Sequence, residues 1–260
     1  WNSRRIDTRE LSHVSKQFVS DILTECNGDE DHDEFRVRVR GLPRKTSRDS
    51  IISLTNVSAA VDRAKTFDPH SVAILPCTLM CDPAWTGGDE TVIAMRQGNF
   101  IKILEKYTLD KAMGDTHNVT FLKLCEYEKT LHADAVFIDQ AEGTAIYTLA
   151  MNSGRTSWEL ISFANSPTDN VDPKASEFAN IRAQMYYAAN DFFSKGGVLD
   201  FREIKWREET IKQLCWAKGT RHKTTMKKLV ESKIEIKARV GKSPDVADAV
   251  VLAFARVVTD

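Results

Sequence analysis

The chain has 260 residues, of which 42% are hydrophobic and 28% charged, with 12 glycines and 7 prolines. This composition excludes collagen-like, mucin-like and wholly disordered chains, and no apolar run is long enough to span a membrane. The formal net charge is −1, yet the segment from Thr210 to Lys242 carries ten Lys or Arg against two Glu, a balance of +8 (10 − 2). That segment is either a solvated surface or a contact for a polyanion such as nucleic acid.

The start of the chain and its cysteines give expectations about the parent polypeptide and about the redox state of the thiols. It opens at Trp1 without a methionine or an apolar leader, which we interpret as a segment of a longer polypeptide. The five cysteines form no CxxC pair and none has a histidine at zinc-finger spacing. We therefore expect reduced, mostly buried thiols and no structural zinc site.

The first 69 residues predict a helix, a strand and two linkers. Apolar residues recur at helical spacing between Leu11 and Ile22. Phe35–Arg40 alternates apolar and basic residues, which is typical of a half-buried strand. The polar stretch Arg44–Asp49 and the patch Phe67–His70 have linker composition, so we place the main domain boundary near residue 70.

From residue 70 onward the pattern alternates between strands and helices. It predicts strands over 72–81, 91–97, 99–107, 133–139, 157–163 and 233–238, and helices over 117–132, 142–151, 174–195, 202–217 and from 243 or 245. The first three strands are expected to be antiparallel, with a tight turn at Gly98. Ser243 is the expected N-cap of the last helix, with Pro244 at its first position.

Acidic residues stand at unusual places in this pattern. Asp82 and Asp139 each end an apolar strand, and Asp248 lies on the apolar stripe of the last helix. Taken singly, the first two are either site acids or turn and cap residues, and Asp245 suits the positive end of a helix. Together they favour a divalent metal site, and ligation by oxygen alone favours Mg²⁺ or Mn²⁺ over Zn²⁺.

The order of these elements is that of an RNase H-like fold, an α/β mixed sheet of three antiparallel strands and then parallel strands, flanked by helices. The motifs Asp82–Ile93, Val136–Asp139, Asn180–Ala183 and Lys242–Ala249 resemble, in order and spacing, the nuclease domain of the large terminase subunit of tailed bacteriophages. The resemblance covers residues 70–260, the expected nuclease domain, and residues 1–69 resemble the end of the family's ATPase motor region and a linker.

The resemblance implies a metal-dependent endodeoxyribonuclease that cuts concatemeric double-stranded viral DNA during genome packaging. Its catalytic and metal-binding acids would be Asp82, Asp139 and Asp248, with Asp245 as a further ligand, and two Mg²⁺ or Mn²⁺ ions would serve as cofactors. Glu142 is either another ligand or an acid at a helix start. Two other functions stay open: a Holliday-junction-resolvase-like nuclease of the same superfamily, and a non-enzymatic module that docks on DNA or the portal.

The basic segment would then hold the DNA backbone through charge. The candidate contacts are Lys223, Lys227, Lys228, Lys233, Lys237, Arg239 and Lys242. Trp206 and Trp216 are either core anchors or platforms for a base. Double-stranded DNA is the expected partner, joined in the parent protein by the portal protein and the small terminase subunit. No membrane partner is expected, and the expected location is the cytoplasm of the bacterial host.

Overall fold

The computed structural model describes residues 6–26, 28–30, 33–42, 50–85, 88–109, 116–169 and 174–256. The linker expected over 44–49 lies outside these ranges. The chain divides into two compact units, residues 1–48 and 49–260. The five cysteines all lie within the described ranges and none of them is in a disulfide, and four of them are buried. Across the described ranges, no helix has the length and apolarity needed to cross a membrane.

The described part of the first unit contains the α-helices α1 (Lys16–Glu25) and α2 (Asp33–Arg38). Helix α1 begins later than its apolar spacing predicts, because the Ser15 hydroxyl caps it by accepting from the amide of Phe18. The strand expected over 35–40 is wrong. Phe35 and Val39, four residues apart, are both buried, and that spacing also suits one face of a helical turn.

The second unit is an α/β domain built around a six-stranded sheet. Its strands are β1 (Cys77–Asp82), β2 (Thr91–Gln97), β3 (Phe100–Tyr107), β4 (Ala135–Asp139), β5 (Trp158–Ile161) and β6 (Val198–Phe201). Its helices are α3 (Leu54–Ala64), α4 (Thr116–Leu131), α5 (Gln140–Asn152), α6 (Ile181–Ser194), α7 (Arg207–Leu214), α8 (Lys233–Val240) and α9 (Asp245–Val251). A short hairpin pairs β7 (Gly219–Arg221) with β8 (Lys228–Val230).

The strand order is β5-β4-β1-β2-β3-β6. Strands β1, β2 and β3 are antiparallel neighbours, with Gly98 at φ +56° in the tight turn, and β4 and β5 continue in parallel beside β1. This confirms the predicted mixed sheet. Strand β6, parallel to β3, was not expected, and it occupies residues just before the long helix predicted over 202–217.

Two hydrophobic cores lie on the two faces of the sheet. Successive residues of β1 alternate between them: Met80 packs into the core that includes α6 and α9, and Leu79 into the core that includes α4 and α5. Helix α3 contributes Val57 and Ala60 to the first of these cores. Residues 50–64 therefore pack with the sheet, and the division of the chain falls at 48/49 rather than near residue 70.

Two details near the C-terminus differ from expectation. The strand expected over 233–238 is wrong, because Ser232 and Glu235 form a reciprocal capping box that starts α8. Ser243 is not the N-cap of α9 either. Pro244 occupies that position, and the amide of Val246 donates instead to Oε1 of Gln213, 2.8 Å away on α7.

Candidate active site

The sheet itself brings the first two acids together. Asp82 and Asp139 are the last residues of β1 and β4, and the register pairs the residues before them, Cys81 with Ile138. Because β1 and β4 are adjacent and parallel, these two strand ends lie at one edge of the sheet. Only 2% of Asp82 and 7% of Asp139 is exposed, so both carboxyls are withdrawn from water.

Asp139 has a second role at the same place. It is the N-cap of α5, and its Oδ1 accepts a hydrogen bond of 3.3 Å from the amide of Ala141. Gly143 permits the helix to lie close to β4, since a Cβ at that position would lie 2.3 Å from Cγ2 of Ile138. The cap interpretation and the site interpretation of Asp139 are therefore compatible, because its other oxygen is not used by the cap.

Helix α9 adds two more acids by packing against β1 and β2. Asp245 and Asp248, in its first turn, are 4% and 0% exposed. Oδ2 of Asp245 accepts a hydrogen bond of 2.8 Å from the amide of Glu90, in the segment that leads into β2. One oxygen of Asp245 is thus fixed by the backbone of the sheet domain.

The side chain of Lys233, from α8, lies among these acids. Its Nζ is 3.3 Å from Oδ2 of Asp82, 3.2 Å from Oδ1 of Asp245 and 3.7 Å from Oδ2 of Asp248. The side chain of Lys233 is 39% exposed. One ammonium group thus offsets the charge of several buried carboxylates.

The acids perturb one another's protonation. Burial raises the pKa of Asp82 well above its usual range; Lys233 opposes the rise, and the carboxylates of Asp248, Asp139 and Asp245 add to it. Burial likewise raises the pKa of Asp139, against the lowering effect of the Ala141 amide. For Lys233, burial lowers the pKa of the ammonium, but the surrounding carboxylates raise it by a larger amount. The net shift is upward, so this side chain stays charged.

The donor chemistry of this cluster suits a divalent cation. Among the described residues, Oδ1 of Asp245 and Oδ2 of Asp248 are buried without a hydrogen-bond partner. As the side chains lie, no three His, Cys, Asp or Glu of the described ranges converge on one ion. The ammonium of Lys233 lies between the carboxylates instead. The available ligands are all hard oxygen atoms, which favours Mg²⁺ or Mn²⁺.

Asp248 is held from behind by helix α6. Its Oδ1 accepts from the Tyr186 hydroxyl at 2.9 Å and from Nη2 of Arg182 at 3.1 Å. Burial and the nearby Asp248 carboxylate raise the pKa of Tyr186 well above its usual range. Both side chains therefore act as hydrogen-bond donors toward the Asp248 carboxylate.

Two clefts open onto the acids. The larger, of about 1320 Å³, is lined by Asp139 and Asp248 and by the basic side chains of Lys218, Arg221 and Lys223 around β7; we call it the hairpin cleft. The smaller, of about 430 Å³, includes Asp82, Asp139, Asp245, Glu142 and Trp85. We call it the loop cleft. The acids thus lie between a basic wall and a more acidic recess.

The basic residues predicted from the sequence separate into two groups. Five of the seven form ion pairs: Lys228 with Glu177, Lys233 with the site acids, Lys237 with Asp89, Arg239 with Glu231 and Lys242 with Glu209. Lys223 is exposed on the hairpin cleft, and Lys227 is half-buried in the turn of the same hairpin. Neither residue of this second group forms an ion pair among the described residues, and Lys223 lines the cleft that Asp139 and Asp248 also line.

Three other candidates have clear positions. Glu142 is exposed in the first turn of α5 and lines the loop cleft. Trp206 and Trp216 are partly buried and pack against the core that includes α6 and α9. The core-anchor interpretation of both tryptophans is thus confirmed.

Sequence reasoning missed the role of two side chains and misplaced a third. Arg182 and Tyr186 are four residues apart on the buried stripe of α6, and an arginine on an apolar stripe was the available signal. Lys233 was expected on a strand as a DNA contact. The capping-box pattern Ser-x-x-Glu from Ser232 to Glu235 would have placed it at a helix start.

Comparison with known proteins identifies solved structures that share this fold. No family model and no curated protein matches the chain. The nuclease domain of the large terminase subunit gp2 of bacterial virus Sf6 superposes with a TM-score of 0.65 at 21% identity, covering 81% of this chain and 100% of that domain. A mutant of that domain, solved with manganese and beta-thujaplicinol, gives 0.65 at 22% identity over 81% of this chain and 100% of its own.

A longer protein also matches. The large terminase of bacteriophage HK97 has a TM-score of 0.50 at 8% identity, covering 94% of this chain and 51% of that one. The chain therefore has the fold of phage terminase nuclease domains, an RNase H-like mixed sheet, as its sequence predicted.

Proposed function

We propose that this chain is a metal-dependent endonuclease that cuts double-stranded DNA, the nuclease part of a terminase large subunit. The observation that carries the proposal is the meeting of three buried acids, Asp82 from a strand end and Asp245 and Asp248 from α9, around a single cation, Lys233. The adjacent strand end adds Asp139 at the same edge of the sheet. An acid cluster of this kind is costly to bury unless cations compensate it. The shared fold with phage terminase nuclease domains supports the same function.

In the proposed reaction, Asp82, Asp139 and Asp248 would hold two Mg²⁺ or Mn²⁺ ions, with Asp245 as a further ligand. When bound, such ions stabilise charge on the scissile phosphate and lower the pKa of the attacking water. The carboxylates would fix the positions of the ions, because two of them are anchored at the ends of buried strands and two on a buried helix. Lys233 offsets their charge before ions bind.

The hairpin cleft is the proposed site for the DNA backbone. Lys218, Arg221 and Lys223 line it beside Asp139 and Asp248. Basic side chains at this edge would bind phosphates through charge, with little sequence preference and strong dependence on salt.

The wider setting is part of the same proposal. Residues 1–48 would belong to the end of the motor region, and residues 49–260, the unit that contains the sheet, would include the nuclease domain expected over 70–260. In the parent protein the portal protein and the small terminase subunit would be partners, in the cytoplasm of the bacterial host. The substrate would be concatemeric viral DNA.

The test is cleavage of supercoiled plasmid with Mg²⁺, Mn²⁺ or EDTA. We expect cutting that requires the metal, is lost in Asp82→Asn and is retained in Asp191→Asn, a change at an exposed acid paired with Lys195. A parallel assay on four-way junctions distinguishes a resolvase, which would prefer the junction over linear duplex. Metal-independent binding without cutting by the wild type would contradict the proposal and indicate a docking module.

A further inference from the structure

Asp248 presents its two oxygens to very different surroundings. Oδ1 accepts from Tyr186 at 2.9 Å and from Arg182 at 3.1 Å, whereas Oδ2 has no hydrogen bond among the described residues. Oδ2 lies 3.7 Å from the Lys233 ammonium, on the side of the acid cluster. Both donors thus engage one oxygen and leave the other toward the site.

The two donors are themselves fixed. Arg182 and Tyr186 lie four residues apart on α6, so they share one face of the helix. Tyr186 is fully buried, and Arg182, 7% exposed, also donates through Nη1 to the carbonyl of Glu231. A carboxylate bound by two anchored donors at one oxygen has a single favoured orientation, because rotating it would leave a buried donor unpaired.

We infer that Tyr186 and Arg182 are positioning residues that orient Asp248 for metal binding, an inference that rests on the proposed function. Both act through Asp248: Tyr186 is fully buried and lines neither cleft, and Arg182, which also lines the hairpin cleft, reaches Asp248 through Nη2. Groups that hold a ligating carboxylate from behind contribute to metal affinity, and losing one typically weakens it about 10-fold to 100-fold. Tyr186 is the cleaner probe, since its hydroxyl can be removed without changing the charge or the shape of the core.

The experiment measures Mn²⁺ affinity by calorimetry in the absence of DNA, well below the melting temperature. Tyr186→Phe should weaken Mn²⁺ binding roughly 10-fold. Tyr187→Phe is the matched control on the same helix, because the Tyr187 ring contacts Phe178 and Lys228 away from the acids. Arg182→Lys keeps the charge but lacks the planar fork that reaches two acceptors, and it should weaken binding in the same direction.

Cleavage gives a second readout. In Tyr186→Phe, raising the Mn²⁺ concentration should restore the rate of plasmid cutting, with the KM for DNA unchanged. The assay is run well below the melting temperature of the metal-free variant, where the variant is folded and stabilisation by bound metal does not affect the rate. Mn²⁺ affinities of Tyr186→Phe and Arg182→Lys equal to that of the wild type would overturn the inference alone. If Tyr186→Phe does not fold, Arg182→Lys decides by the same comparison. Absence of Mn²⁺ binding by the wild type would overturn the proposed function, and the inference with it.

Discussion

The Nζ atom of Lys233 lies 3.3 Å from Oδ2 of Asp82, so a helix-borne cation sits against the acid that ends β1. The same ammonium also reaches Asp245 and Asp248. Metal-free protein therefore carries its own counter-charge within the acid cluster. A bound divalent ion and this ammonium would compete for the same carboxylate oxygens.

Replacing Lys233 tests that competition. Lys233→Ala should destabilise the metal-free protein by about 2 kcal/mol, less than a fully buried pair would lose, because the side chain is 39% exposed. The same variant should bind Mn²⁺ more tightly than the wild type. Thermal melts across a Mn²⁺ titration measure both effects, with Lys237→Ala, which loses only the pair with Asp89, as the control. Weaker Mn²⁺ binding by Lys233→Ala would count against competition.

The site acids should differ in what they do for the metal-free fold. Asp82→Asn should leave stability unchanged within about 1 kcal/mol or raise it, because burial and neighbouring carboxylates disfavour the charge of Asp82. Asp248→Asn should cost about 3 kcal/mol, because it leaves the buried Arg182 without its anion. Urea unfolding in EDTA measures the two values, and equal losses would contradict this assignment of charges.

Stability without metal should depend on pH through Asp82. Its pKa is raised in the folded protein, so the folded state keeps a proton that the unfolded chain releases above about pH 4. The contribution of the protonated Asp82 carboxyl to the free energy of unfolding is complete below that pH, and it is lost as pH rises through the pKa of Asp82 in the folded protein. In EDTA, the melting temperature of Asp82→Asn minus that of the wild type should therefore increase as pH is raised from about 4 to about 8. A difference that stays constant with pH would refute this.

DNA binding should depend on Lys223 and Lys227 of the hairpin, which form no ion pair within the described ranges, more than on the ion-paired lysines. Lys223→Ala and Lys227→Ala should each lower duplex affinity for all sequences and reduce the salt slope by about one unit. Lys212→Ala, which removes an exposed lysine paired with Glu208, is the control. Filter binding across a salt series gives the slopes, and slopes equal to the wild-type value would make the hairpin a bystander surface.

Much of this arrangement follows from local sequence signals, and the failures have identifiable physical causes. Asp82 and Asp139 could be placed on one edge because apolar strands ending in an acid are distinctive and neighbouring parallel strands end together. The strand predictions for residues 35–40 and 233–238 were wrong because alternation of apolar and polar residues over a short stretch also fits a helical turn. Lys233 reaches the acids through tertiary packing of α8, which no local pattern encodes.

Asp139 both caps α5 and belongs to the acid cluster, and these two roles restrict which residues its position can tolerate. Asparagine caps a helix about as well as aspartate, whereas alanine loses about 1 kcal/mol of capping. Asp139→Asn should therefore keep α5 intact and remove only the charge, while Asp139→Ala would also loosen the start of α5 at Ala141. In a descendant that had lost nuclease activity but kept its shape, selection for folding alone would permit either aspartate or asparagine here, so an asparagine at this one position would indicate a folded remnant.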